Sequence, residues 1–182
     1  ADGFMQSAVY IRRDRIIPIG NIEEAIGSLL ELCSVSVNAI ETFIQKSHKR
    51  KNVIGVWGCG SVGYITTLLL KKCFPESKIV IVGTRMEKLS YFSFADDIKM
   101  ITELEPNFRI DHAFECVGGE KSADAINQII DYINPEGTIS LLGVSEEPVD
   151  INTRMVLEKG LQLIGNSRSG YNDFKKSVEL LQ

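Results

Sequence analysis

The chain has 182 residues, a formal net charge of −4 and 44% hydrophobic residues. That length suits one large domain, or one domain with part of another, and the acidic balance argues against a general nucleic-acid surface. No apolar stretch approaches membrane-spanning length, no secretory signal opens the chain, and its four cysteines are scattered without a C-x-x-C pair, which suits a reducing cytoplasm and excludes a local zinc knuckle.

In chain order, residues 3–18 (GFMQSAVYIRRDRIIP) alternate like β-structure, with residues 12–15 as a turn. Residues 22–45 carry helical spacing without proline, with a break expected near Cys33-Ser34. The basic run at 46–51 (KSHKRK) reads as a solvated helix end, where cations suit the dipole, rather than as a nucleic-acid patch.

Strands and helices then alternate. Strands are expected at 53–57, 78–82, 98–101, 112–116, 138–142 and 162–164; helices at 61–72, 87–92, 123–133, 156–158 and 173–181. That pattern predicts an α/β fold with a doubly wound, parallel, six-stranded sheet. The opening twenty residues do not fit it and read as the tail of another domain, too small to form a core alone. For that reason the chain is expected to be a fragment; its start at Ala1, without an initiator methionine, proves little by itself. The expected division is 1–21 as that remnant, 22–50 as a linking helix region, 51–170 as the sheet domain and 171–182 as a return helix.

The most informative string is Val53-Ile-Gly-Val-Trp-Gly58-Cys-Gly60-Ser-Val-Gly63. Three glycines at G-x-G-x-x-G spacing stand between an apolar run and a helical stretch, the context that a dinucleotide site requires. Gly58 makes the turn, Gly60 lets the backbone approach the pyrophosphate, and Gly63 lets helix and strand pack closely, with Ser61 and Val62 on the helix amino end. An NAD site would end the second strand with Asp or Glu on the ribose hydroxyl. This chain has Gly83-Thr84-Arg85 there, with Lys88 a turn further on. Arg85 offers a planar fork for a 2′-phosphate and Thr84 a hydroxyl, so the expected cofactor is NADPH. A solvated surface arginine is the alternative reading of Arg85.

Several strings resemble the medium-chain dehydrogenase/reductase superfamily, the zinc alcohol and polyol dehydrogenases, in which a GroES-like catalytic domain precedes a Rossmann domain. They are GFMQSAVYIRRDRIIPI, ELCSVSVNAI, VWGCGSVG, DHAFECVGG and GTISLLGV. The resemblance spans nearly the whole chain but only about the carboxyl half of that family's length. DGFMQ, GYITTLLLKK with PESKI, KLSYFSFADD, AINQIIDYINPEG and LIGNSRSG resemble one branch more narrowly. That branch is the ribulose-5-phosphate reductases, which make ribitol 5-phosphate for CDP-ribitol, a precursor of teichoic acids and capsules.

The resemblance implies an NADPH-dependent zinc reductase of a sugar phosphate, a homodimer joined near residues 162–165, and the cytidylyltransferase of the same pathway as a partner. By the same resemblance Glu31 reaches the catalytic zinc or its water; here Glu31-Leu-Cys33 replaces the family's Glu-Pro-Leu, and a solvated helical glutamate is the other reading. The remaining zinc ligands are expected to lie before Ala1. Cys116, Val117 and Gly118 would flank the nicotinamide ribose, and Leu142, Gly143 and Val144 would meet the nicotinamide amide through backbone groups. Arg168 touches cofactor or substrate phosphate, or is a plain loop arginine. Cys33 and His112 read as packed core residues, and Cys116 as no nucleophile, since no histidine stands ready to activate it. A non-catalytic module that senses NADP(H), or a reductase of another polyol or alcohol, is the alternative reading of the chain.

Overall fold

Short segments of four to nine residues become strands, the two apolar runs Val53–Trp57 and Lys78–Gly83 at the centre of the pattern. In the computed structural model, which describes residues 7–182, the strands are β1 (Val53–Trp57), β2 (Lys78–Gly83), β3 (Asp97–Met100), β4 (Ile110–Glu115), β5 (Ile133–Leu141) and β6 (Gln162–Gly165). All neighbours are parallel, in the order β3-β2-β1-β4-β5-β6. The helices are α1 (Glu24–Gly27), α2 (Leu30–Lys46), α3 (Ser61–Cys73), α4 (Met86–Leu89), α5 (Ser122–Tyr132), α6 (Thr153–Glu158) and α7 (Tyr171–Leu181).

The strand sequences explain the layering. β1, β2 and β4 are apolar or buried on both faces, as strands covered by helices on either side must be. Along β1, Ile54 and Val56 join Phe43 of α2, Leu69 and Leu70 of α3, and Phe114 in one core. Trp57 points the other way, into a second core with Val80, Val82, Ile126, Ile129 and Ile130. Its indole N–H donates to Gln128 Oε1 at 2.7 Å, which satisfies its one polar atom. The chain leaves β1 first toward β2 and β3, then returns to β4 on its other side. A crevice therefore opens beyond the carboxyl ends of β1 and β4, where such sheets hold ligands.

The sheet and its crossover helices follow the sequence expectation; three local features differ. The helix break falls at Ser28-Leu29 rather than Cys33-Ser34, because Gly27 weakens the helix and Ser28 Oγ donates to the Ala25 carbonyl. β5 begins five residues early, at Ile133, and accommodates Pro135 and the left-handed Glu136 (φ 66°) by a register shift against β4. Residues 7–22 contain no strand, only a 3₁₀ turn at Arg13–Arg15 where the turn was expected. An isolated alternating segment has no ladder partner among the described residues, and residues 1–6 of the expected β-run lie outside them.

The amino edge of the sheet, opposite the crevice, is a polar clamp. Asp111 accepts from Arg50 Nε (2.8 Å), the N–H groups of Asn52 (2.9 Å) and Val53 (3.1 Å), and Asn134 Nδ2 (3.0 Å). Burial alone would raise its carboxyl; the donors from Asn134, Val53 and Asn52 and the Arg50 charge together hold it below the usual range. Beside it His112 is fully buried, accepting the Thr138 N–H at Nδ1 (3.1 Å), so Nε2 carries the proton and donates to the Arg50 carbonyl (2.8 Å). Burial first, then the neighbouring His48 and Lys51, lower its pKa to about 4.

Candidate nucleotide site

The turn from β1 into α3 builds the floor of the crevice. Gly58 has φ +116° and donates its N–H to the Val82 carbonyl at 2.9 Å; a Cβ there would lie 2.7 Å from the Cys116 carbonyl oxygen. Conformation and space both close this position to side chains. At Gly63 a Cβ would lie 1.8 Å from the Gly58 carbonyl oxygen, so helix and turn touch backbone to backbone. Gly60 differs. Its φ of −89° and ψ of −174° suit any residue, and a Cβ there would meet nothing within 4 Å. The space that a side chain would fill lies over the amino end of α3, which has no side-chain cap. First-turn N–H groups lack intrahelical acceptors and favour an anion, so a pyrophosphate fits this cradle.

A cavity of about 500 Å³ extends from this cradle. It brings together Gly58, Gly60, Gly83, Thr84, Arg85, Cys116 and Val117 of the expected site. Its volume is that of a small-molecule site, and Trp57, Val82, Ile101 and Ala125 give it apolar walls that could hold a flat ring. Arg85 sits exposed at the start of α4, outside every ion pair found among the described residues. The carboxylate in the wall, Asp124, is already paired with Lys121 at 3.0 Å. Ser61 and Lys88 line an adjoining hollow of about 370 Å³ that shares Gly60, so Lys88 and Arg85 line different hollows on the two sides of that glycine. Val62, half-buried, packs α3 against the first core.

On the other side of β1 the ends of β4 and β5 form one joined edge. The N–H groups of Leu142 and Gly143 donate to the Glu115 carbonyl (2.9 and 3.1 Å), and Gly119 N–H donates to the Val144 carbonyl (2.7 Å). The Glu115 side chain, 1% exposed, accepts at Oε1 from Val117 N–H (2.8 Å) and Gly118 N–H (3.0 Å), and at Oε2 from Gly143 N–H (3.2 Å). Cys116, Val117 and Gly118 thus stand beside Leu142, Gly143 and Val144. The N–H groups of Gly118 and Gly143 are already engaged, so backbone contacts there fall to other groups. Burial, with the nearby Glu115 charge, pushes the Cys116 thiol up to about 12 against its contact with Thr66, and a thiol held protonated is no nucleophile. Burial likewise raises the Cys33 thiol, within the first core.

Glu31 and Arg168 lie apart from the cavity. Glu31, exposed on the first turn of α2, lines a separate hollow of about 550 Å³ with Arg15, Ser169 and Tyr171. Ser34 Oγ donates to the Glu31 carbonyl (2.6 Å) and lies 2.7 Å from Ser169 Oγ, which ties α2 to the loop after β6. Arg168, exposed in that loop at φ 60°, lines neither hollow nor cavity. Among the described residues no three His, Cys, Asp or Glu side chains gather where a metal could sit. A lone carboxylate does not fit a zinc site, which takes at least three protein ligands. The His48 and His112 rings lie 4.3 Å apart, tilted by 44°, at the opposite edge of the sheet.

Sequence reasoning missed Glu115, Lys121, Asp124 and the apolar walls. Glu115 had a signal, an acidic residue that closes a buried strand directly after Ala113 and Phe114; the others are neighbours only through the fold.

A doubly wound parallel sheet with a glycine turn at its crevice defines a Rossmann-like α/β domain. The chain belongs to the zinc-binding dehydrogenase family, whose model matches residues 86–182. It is 55% identical over 180 residues to ribulose-5-phosphate reductase 1 of Staphylococcus aureus, covering 98% of this chain and 53% of that protein. It is 48% identical over 181 residues to the ribulose-5-phosphate reductase of Bacillus spizizenii, covering 99% and 53%. The chain spans about half the length of these curated relatives. The crystal structure of S. aureus TarJ in complex with NADPH matches with a TM-score of 0.94 at 55% identity, over 98% of this chain and 57% of that one. L-idonate 5-dehydrogenase of Escherichia coli, at 16% identity and a TM-score of 0.77 over 89% of this chain and 47% of that one, shares the fold. No helix among the described residues is long and apolar enough to cross a membrane.

Proposed function

We propose that the chain is the cofactor-binding part of an NADPH-dependent reductase that converts D-ribulose 5-phosphate to D-ribitol 5-phosphate for CDP-ribitol synthesis. The observation that carries the cofactor is the cavity itself, in which Thr84 and Arg85, which has no ion-pair partner among the described residues, share walls with Gly58 and Gly60. The named relatives support the substrate, at 48% to 55% identity. When bound, NADPH supplies the hydride. Gly60 and the first turn of α3 seat the pyrophosphate, and Arg85 holds the 2′-phosphate through its fork with Thr84 as a second donor. Glu31 is the one residue here that the family reading assigns to the metal. Since it does not make a site by itself, the chain alone is expected to show no turnover.

The outer edge of β6 is the proposed seam of a homodimer, because an edge strand offers a row of unpaired backbone groups to a second copy. The four free thiols suit a reducing cytoplasm.

Two measurements test the proposal. Arg85→Ala is expected to weaken NADPH by about 1.5–3 kcal/mol, about 10- to 150-fold, while NADH changes little. Equal losses for both nucleotides would remove Arg85 from the 2′-phosphate. A longer polypeptide that carries this chain together with the rest of the family's length is expected to oxidise NADPH on addition of ribulose 5-phosphate, and to stop when a zinc chelator is added. Oxidation with no dependence on the sugar phosphate would sink the substrate assignment.

A further inference from the structure

Glu115 is a buried carboxylate that belongs to no ion pair among the described residues. Such a group is costly to desolvate unless fully hydrogen-bonded, and here three N–H groups from two loops do the bonding. Two of the three come from the loop after β4, and the third from the loop after β5. The fit is close, because a Cβ on Gly143 would lie 2.6 and 2.7 Å from the two carboxylate oxygens. One apolar side chain from each loop, Val117 (39% exposed) and Val144 (82% exposed), stands out beyond this joint.

The strand order says what these loops face. Gly60 lies in the turn after β1, Arg85 follows β2, and β1 lies between β2 and β4. A dinucleotide with its pyrophosphate at Gly60 and its 2′-phosphate at Arg85 must carry its other half across β1, onto the ends of β4 and β5. The geometry points to Glu115 as the residue that positions the nicotinamide half of the cofactor, by locking the β4 and β5 loops into one rigid edge; this rests on the cofactor reading above. Glu115 touches no part of the cofactor itself. Its carboxylate uses up the loop N–H groups and so presents Val117 and Val144 at a fixed separation as a surface for the nicotinamide ring. A site held by packed and hydrogen-bonded supports loses affinity when those supports loosen.

The experiment compares two ligands on the chain, NADPH and adenosine 2′,5′-bisphosphate, which keeps the 2′-phosphate and lacks the nicotinamide. In Glu115→Gln, whichever way the amide turns, at least one of the three N–H groups loses its acceptor. NADPH is expected to bind about tenfold more weakly, while the bisphosphate stays within about twofold. Glu115→Asp keeps the charge but is one methylene short of spanning both loops, and is expected to show the same selectivity; it reads the proposal should Glu115→Gln not fold. Equal losses for both ligands, or no loss for either, would overturn the positioning role and leave the cofactor assignment standing. A wild-type chain that binds neither ligand would overturn the cofactor assignment, and this role with it.

Discussion

Gly63→Ala is expected to cost the fold more than about 3 kcal/mol, whereas Gly60→Ala, three residues earlier, is expected to leave stability within about 0.5 kcal/mol of the parent. The difference lies in what a methyl group would meet. At Gly63 it would sit 1.8 Å from the Gly58 carbonyl oxygen, a backbone atom that cannot swing aside, so α3 must lift away from β1. That movement would open the core that Ile65 and Leu69 make with Ile54 and Val56. At Gly60 the backbone conformation suits alanine and no protein atom lies within 4 Å, so the smaller freedom of the unfolded alanine chain offsets any loss. The methyl would occupy the pyrophosphate cradle instead, and NADPH affinity is expected to fall at least about tenfold. Urea unfolding and nucleotide titration of the two variants check this split. A Gly60→Ala chain that binds NADPH normally would mean that the cradle holds no phosphate.

The second large effect is acid instability. His112 has a folded pKa lowered from 6.5 to about 4, because burial disfavours the charged ring and His48 and Lys51 add like charge beside it. The unfolded chain binds a proton near its ordinary pKa, while the folded chain refuses it until about 4. Stability from this group is therefore complete above about pH 6.5 and is lost as the pH falls toward 4, by about 3 kcal/mol in all. Asp111 adds a separate loss below the ordinary carboxylate range, since its folded pKa is also lowered. Urea midpoints measured across that window should decline with acidity, and more weakly in His112→Asn, which cannot titrate. An identical decline in both chains would show that His112 is not the group responsible.

The sheet was legible because a parallel sheet covered on both faces demands uninterrupted apolar runs, and Val53-Ile-Gly-Val-Trp57 and Lys78-Ile-Val-Ile-Val82 have few other uses. The glycine turn was legible for a related reason: Gly58 and Gly63 are spaced by backbone contacts that leave no room for a side chain. Gly83-Thr84-Arg85 could be read because strand ends meet the crevice in a fixed order. Residues 7–18 misled because alternation marks a strand only where a neighbour can pair with it. The break at Ser28-Leu29 was hidden because it depends on one serine hydroxyl reaching one carbonyl. Glu115 was visible as an acid at the end of a strand, directly after Ala113 and Phe114, yet its three partners are set by how the two loops meet. Lys121 and Asp124 carry no local signal, since only folding brings them to the wall of the cavity.

The central claim is a nucleotide site that selects for the 2′-phosphate. Titrating the chain with NADPH and with NADH, followed by nucleotide fluorescence, tests it most directly. NADPH is expected to bind at least about tenfold more tightly, the worth of one charge-assisted contact from Arg85. Equal affinities, or a preference for NADH, would contradict it.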